Sequence, residues 1–421
     1  MIRHRRLSGE RSWQRSAWNL IVARIAIVMT HPVQYNAPWL KLLSAQDDVC
    51  VHVFYTWHAG DTLVRDPGFG KSIQWDIPLL DGYEWELLPP ARPVERRTFW
   101  NMDSPELISR ISAWQPDAVL VCGWNFASHF RVMRWFHGRI PVLFRGDSTL
   151  LDDCPGIRSF ARSMLLRYVY RHIDFAIAVG SCNREYFRKN GLGESQLVTA
   201  PHAIDNQRFA GTDDQFDREA ELLRREMGFG DHDVVILFAG KFERKKDPLG
   251  LVRVFQMAAS ERTSLRLLLV GDGVLEPELR RVIGTDERIR ILPFQNQQRM
   301  PVVYRVGDIV CLPSRFNETW GLCLNEAMAC GRAVMATDRV GAARDLLVEG
   351  RTGFRCPELG SDGAVDVFRS LPERRILLDE MGVQSQRFIQ DWSFDGIVNA
   401  VVSAVRLSPS VFRATTDGRP T

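Results

Sequence analysis

Residues 234–247 read Val234-Val-Ile-Leu-Phe-Ala239-Gly240-Lys241-Phe-Glu-Arg244-Lys245-Lys246-Asp247. A short continuous apolar run stopped by glycine is how a strand buried on both faces of a parallel sheet reads. Downstream, Leu265-Arg-Leu-Leu-Leu-Val270 runs into Gly271-Asp-Gly273, and Ile289–Leu292, Ile309–Leu312 and Ala333–Ala336 follow. Upstream, Arg24–Met29 ends in Thr30-His31-Pro32, followed by Val49–Tyr55, Ala118–Cys122, Pro141–Phe144 and Ile173–Val179. Helix-prone stretches such as 37–45 separate these runs. Strands joined by helical crossovers define a doubly wound α/β architecture. The series restarts after residue 205, beyond a charged helix-prone segment, Gly211–Glu226, and a break at 228–233. The expected fold is therefore two doubly wound, Rossmann-like domains facing across a cleft. Ligands of such sheets bind beyond the carboxyl ends of the strands.

The length of 421 residues agrees with two or three domains. With 45% hydrophobic and 25% charged residues, the chain has the balance of a globular protein rather than a disordered or collagen-like one. A formal charge of +3 does not suit a dedicated nucleic-acid binder. None of the eight cysteines forms a CxxC pair, and no histidine cluster has metal-ligand spacing. Apolar runs enclose most of those cysteines, which points to a reduced, cytoplasmic setting. Residues 1–22 are arginine-rich and read as a basic extension, disordered or tethered to anionic lipid. Residues 23–205 and 206–390 are the expected domains, 391–408 a helix returning to the first, and 409–421 a disordered tail.

Two motifs carry chemistry. The first is Ser314-Arg-Phe-Asn-Glu318-Thr-Trp320-Gly321-Leu322-Cys-Leu-Asn-Glu326-Ala-Met-Ala-Cys-Gly331. It predicts a loop after a strand, a helix opening near Thr319 or Trp320, and a stop at Gly331. Backbone N–H groups at a helix start attract phosphate. Glu318 at the mouth and Glu326 projecting from the helix suit sugar hydroxyls; a dipole-favouring Glu and a solvated Glu fit the same pattern. The second motif is the turn Lys241–Asp247. Its four cations in six residues, at a strand's carboxyl end, suit a diphosphate.

Together ILFAGKFERKKDP, LLLVGDG, CLPSRFNETWGLCLNEAMACGRAVMATD and GRTGF make the second half resemble the family 4 glycosyltransferases of the GT-B fold. The resemblance extends weakly over about 23–405 and is strongest over 235–355. THPVQYNAPWL and FRGDS are similar to a bacterial subset that builds surface polysaccharide. The family's Glu-x7-Glu pattern falls on Glu318 and Glu326. The resemblance implies a retaining transfer from a nucleotide-diphosphate sugar to a glycan or lipid-linked acceptor. It implies that Lys241 and Lys246 neutralise the leaving diphosphate, and that the backbone of Trp320, Gly321 and Leu322 meets phosphate or sugar. Glu318 would hold hydroxyls of the transferred sugar and Glu326 the ribose diol, with Gly240 and Gly271 completing the donor side. Lysines and backbone N–H groups stabilise a departing diphosphate electrostatically. No metal or other cofactor is therefore expected.

The acceptor half departs from the family. Many members carry a histidine where this chain has Gly123-Trp124-Asn125, and a His-Asp pair where it has Arg145-Gly-Asp147-Ser. Asp147 is a candidate to orient an acceptor hydroxyl and Arg145 to face a phosphate, unless the two form a local ion pair. His31 and Asn125 are further acceptor-side candidates; His52, His172 and His202 read as structural. In 157–172 the apolar positions 157, 160, 161, 164, 165, 168 and 169 form a helical stripe, with Arg158, Arg162, Arg167 and Arg171 mostly off it. That pattern fits a helix covering the sheet, or a basic amphipathic helix lying on the inner face of the cytoplasmic membrane. Two other functions fit the fold, a nucleotide-sugar epimerase and a non-catalytic sugar-binding protein. The missing GxGxxG after the first strand argues against a dinucleotide dehydrogenase.

Overall fold

The computed structural model describes residues 22–407 except 59–63, 67–70, 92–93, 95–96, 212–213 and 260–263. The first 21 residues and 408–421, where the basic extension and the tail were expected, lie outside the described residues. The chain opens with β1 (Ala23–Met29) and β2 (Val49–Tyr55), followed by a small antiparallel hairpin of β3 (Val64–Asp66) and β4 (Lys71–Ile73). Next come β5 (Glu84–Leu87), β6 (Ala118–Cys122), β7 (Val142–Arg145), β8 (Phe175–Ala178) and β9 (Leu197–Thr199). Apart from the hairpin these strands form one parallel sheet of order β5-β2-β1-β6-β7-β8-β9.

The second sheet is built from β10 (Val234–Ala239), β11 (Leu265–Val270), β12 (Ile289–Leu292), β13 (Ile309–Leu312), β14 (Ala333–Ala336) and β15 (Gly353–Arg355). Its order is β12-β11-β10-β13-β14-β15, again all parallel. In each sheet the strand order reverses beside the first strand, which opens a crevice between β1 and β6 and another between β10 and β13.

The side-chain period of two explains the layers. Along β10, Val235, Leu237 and Ala239 join one apolar core, while Val234, Ile236 and Phe238 join the core on the opposite face. Along β1, Ile25, Ile27 and Met29 face one core and Ala26 and Val28 the other. The helix Phe394–Arg406 is capped by the Ser393 hydroxyl, which accepts from the Gly396 N–H. It buries Ile397, Val401 and Val405 in the first domain's core, against the helix Ala37–Ser44. Each such aliphatic side chain contributes about 1.5–3 kcal/mol of transfer energy. That packing binds the end of the described chain to its beginning.

The helix Ile157–Tyr170 differs from the expected pattern. It packs on the first sheet through Leu166, Val169 and Tyr170, and leaves Ile157, Phe160, Met164, Leu165 and Tyr168 exposed. Of the sequence stripe, only Val169 is buried. Among the described residues no helix is long and apolar enough to cross a membrane.

Candidate active site

The crevice between β10 and β13 opens into a cleft of about 470 Å³. From the second domain it is lined by Gly240, Lys241, Lys245 and Lys246 after β10, Gly271 after β11, and Glu318 to Cys323 after β13. From the first domain come Gln34, Tyr35, Trp75, Asp147 and His202. The expected donor-side residues thus converge on one space.

Glycine is required where strand ends crowd. Gly271 adopts φ +143°, and a Cβ there would stand 2.0 Å from the Gly240 carbonyl oxygen. Gly321 adopts φ +102°, and a Cβ would meet the Leu312 side chain at 2.6 Å. This left-handed residue delays the helix, which runs Cys323–Ala329 rather than starting at Thr319 or Trp320. Trp320 is held instead by its indole N–H donating to Asn325 Oδ1 at 2.9 Å, with its ring against His202 and Trp392. Residues 318–322 therefore line the cleft as loop backbone.

Lys246 Nζ donates to Glu318 Oε2 at 2.7 Å, and the Ser314 hydroxyl donates to the same oxygen at 3.0 Å. Lys245 Nζ stands 3.9 Å from that carboxylate. Glu318 is only 8% exposed. Burial pushes its carboxyl up, but Lys246 and then Lys245 outweigh burial and hold it below the usual carboxylate range. Burial likewise pulls Lys246 down, and Glu318 more than restores it, so the ammonium sits above the ordinary lysine value. Both groups are charged at neutral pH, an ion pair inside a cleft.

Glu326, expected to project from its helix, is 3% exposed. It accepts from Tyr304 Oη at 2.6 Å and from Tyr35 Oη, across the cleft, at 3.0 Å. Burial raises its pKa above the ordinary glutamate value against the opposing effect of both hydroxyls. Burial and the Glu326 charge keep both phenols protonated, hence donors.

On the acceptor side, Asp147 is exposed at the cleft and accepts from the Thr319 hydroxyl at 2.9 Å. Arg145 faces away from a ligand role. It is buried and donates to the Ala200 and Pro201 carbonyls at 3.1 and 3.4 Å, so it secures the chain where it leaves the first sheet. Burial draws its pKa down to about 10, still cationic at neutral pH. Arg145→Met should therefore lower unfolding stability by about 1.5–3 kcal/mol, as hydrogen bonds from a charged donor are lost. Chemical denaturation checks the loss, and donor affinity should stay unchanged.

His31 and Asn125 follow β1 and β6, at the first sheet's own strand-order reversal. The His31 ring packs against Trp57 and His58, and its Nδ1 lies 2.8 Å from the Thr30 hydroxyl. Burial, then His58 and Arg97, lower its pKa to about 4, so the ring is neutral. Asn125 is exposed. His202, read as structural, lines the cleft beside Trp320. Burial and Arg145 bring its pKa down to about 3. Tyr35, Tyr304, Trp75 and Phe294 were not singled out from the sequence. An aromatic side chain reads as core until a cleft is known to pass it.

Residues 233–371 match the family model of the glycosyl transferases group 1. That match lies within the second domain. A D-inositol 3-phosphate glycosyltransferase of Rhodococcus erythropolis is 29% identical over 198 residues, covering 45% of this chain and 44% of the relative. One from Corynebacterium efficiens is 35% identical over 147 residues, covering 33% and 34%. The chain thus spans less than half the length of the curated relatives it matches. The fold is similar to that of Anabaena HepE solved with UDP and glucose, with TM-score 0.67, 16% identity and 91% and 99% of the two chains covered. It is also similar to sucrose-phosphate synthase of Thermosynechococcus elongatus, with TM-score 0.68, 17% identity and 93% and 100% covered. These structures identify the architecture as GT-B.

Proposed function

We propose that the chain is a retaining glycosyltransferase of the family 4 type. It moves a sugar from a nucleotide-diphosphate sugar to a glycan or lipid-linked acceptor in cell-surface polysaccharide biosynthesis. The observation that carries this reading is the Lys246–Glu318 pair, set beyond the carboxyl ends of β10 and β13 and lining one cleft with Glu326. The bond between the sugar's anomeric carbon and the diphosphate breaks, and the diphosphate takes the electron pair. Lys241 and Lys246 meet the charge that develops there, and the Gly321–Leu322 backbone supplies N–H donors. Glu318 accepts from hydroxyls of the transferred sugar, Glu326 from the ribose, and Trp75 and Phe294 offer ring faces to the base. The acceptor oxygen bonds to the vacated carbon on the same face while its proton passes to the departing diphosphate, with Asp147 orienting the hydroxyl. No metal takes part in this scheme. HepE solved with UDP and glucose supports the donor class. Cysteines without a pairing pattern support a cytoplasmic setting.

A thermal-shift screen of UDP-, GDP-, ADP- and dTDP-sugars tests the donor. A ligand at 100 times its Kd should add about 2.7 kcal/mol of stability. NMR of the product should then show the donor's anomeric configuration, and turnover should persist in EDTA. A sugar inverted at one ring carbon without any acceptor would replace this reading with an epimerase. Turnover lost in EDTA and restored by a divalent cation would remove the metal-free scheme.

A further inference from the structure

The apolar side chains left outside the first domain form a continuous surface. Ile157 is 89% exposed and Phe160 69%, with Met164, Leu165 and Tyr168 beside them on the same helix. Ring contacts extend the surface to the next helix and beyond. Tyr168 meets Phe130 at 6.0 Å, Phe130 meets Phe99 at 6.5 Å, and Phe99 meets Trp100 at 4.8 Å. Trp100 is 80% exposed. Isolated exposed apolar residues are ordinary, but a contiguous run of this kind marks a contact surface.

The charge on this surface is mostly positive, with Asp103 paired to Arg131 as an exception. Arg158, Arg167 and Arg171 are exposed on or next to the first helix, and Arg131, Arg134 and Arg139 on or next to the second. The Arg171 guanidinium lies 4.9 Å from the Tyr168 ring centre and that of Arg134 5.9 Å from Phe130. Neither 126–146 nor 154–172 contains an aspartate or glutamate. A symmetric contact between two copies through this face would set arginines against arginines. A bilayer carrying anionic headgroups instead accepts the aromatic and aliphatic side chains at its interface and the guanidinium groups among its phosphates.

We propose that the face built on Ile157–Tyr170 and Ala127–Phe136 docks the protein on an anionic lipid surface. The opposite side of the first helix fits that use. Ser159, Arg162 and Ser163 line a polar cavity of about 160 Å³ whose wall includes Thr319, which also lines the larger cleft. An acceptor carried in the membrane would thus be delivered next to Asp147. That use rests on the glycosyltransferase reading, whereas the docking surface does not.

Co-sedimentation of the full chain with vesicles tests the docking without any turnover. The protein should pellet with phosphatidylcholine vesicles containing phosphatidylglycerol, remain in the supernatant with phosphatidylcholine alone, and be released by salt. Arg158→Gln with Arg171→Gln should weaken partitioning more than tenfold, at about fivefold per arginine. Ile157→Ser with Phe160→Ser and Leu165→Ser should weaken it at least as much. Unchanged thermal midpoints would show both variants folded. The proposal falls if the wild type does not pellet with the anionic vesicles. It also falls if both folded variants pellet as the wild type does, which would place the contact elsewhere, as in the arginine-rich first residues. A dimer that dissociates in these variants, from a wild type indifferent to vesicles, would assign the face to a second copy.

Discussion

Lys246→Ala is expected to lower turnover by about 10²–10³-fold, the usual loss when one group aimed at developing charge is removed. The ammonium is pre-positioned by the 2.7 Å contact with Glu318, so it needs no reorganisation when the diphosphate arrives. Alanine removes that charge and leaves the Glu318 carboxylate buried, with the Ser314 hydroxyl and the more distant Lys245 as its remaining partners. Some stability is lost as well, since breaking a buried pair from one side costs about 3–5 kcal/mol in the most enclosed cases. Glu318→Gln breaks the same pair from the other side, because an amide can still accept from Ser314 and Lys246 but no longer balances the ammonium. This variant should lose turnover, since a neutral amide is a weaker acceptor for the sugar's hydroxyls, and some stability, since the Lys246 ammonium is left without its anionic partner. Single-turnover consumption of the donor found in the thermal-shift screen, with circular dichroism as the folding control, checks both variants. Near wild-type turnover from either folded variant would remove the role assigned to it.

The pair also fixes a pH window. Glu318 is depressed in the folded state, so its contribution is present above the unfolded carboxyl value of about 4.3 and fades as pH falls through the lower folded value. Lys246 is raised, so its contribution is complete below the unfolded value of about 10.4 and fades as pH rises through the higher folded value. Between those limits the cleft keeps both charges.

The fold class was legible because the central strands must be apolar on both faces. β10 consists of six residues that are all buried, and its short length and the glycine that stops it favour a strand over a buried helix. The edges of the sheets were illegible for the same reason. β5 reads Glu-Trp-Glu-Leu and is at most half-buried, and β9 and β15 are three residues each. Such strands make one ladder instead of two and carry little pattern. At the site, each charged motif could be found locally, but its partner could not. Lys246 and Glu318 are 72 residues apart and meet only because β10 and β13 are neighbours. Tyr35 lies 291 residues from Glu326, in the other domain. The stripe on Ile157–Tyr170 was visible as a period, but periodicity does not say which side of a helix meets the sheet. Leu166, Val169 and Tyr170 provide that seam, one step around the helix from the longer apolar row.

Glu326→Gln should weaken donor binding by about 10- to 100-fold, the 1.5–3 kcal/mol of a charge-assisted hydrogen bond, while making the unliganded protein no less stable at neutral pH. The two effects have one origin. Burial raises the Glu326 pKa, so holding its carboxylate ionised costs folding energy at neutral pH. The native protein tolerates that cost with two tyrosine hydroxyls, neither of which brings a positive charge. A glutamine keeps a carbonyl acceptor for one hydroxyl and removes the ionisation. Because the folded pKa lies above the unfolded one, the cost to wild type grows as pH rises from about 4.3 through the folded value and is constant beyond it. The stability difference between Glu326→Gln and wild type should therefore favour the variant at pH 7.5 and shrink as pH falls toward 4.5, while the Glu318 contribution cancels between them. Thermal unfolding at several pH values, without and with the donor, reads both quantities in one experiment. A variant that is less stable at every pH, or that takes up donor as wild type does, would show that Glu326 is a structural carboxylate and not the acceptor for the donor's ribose.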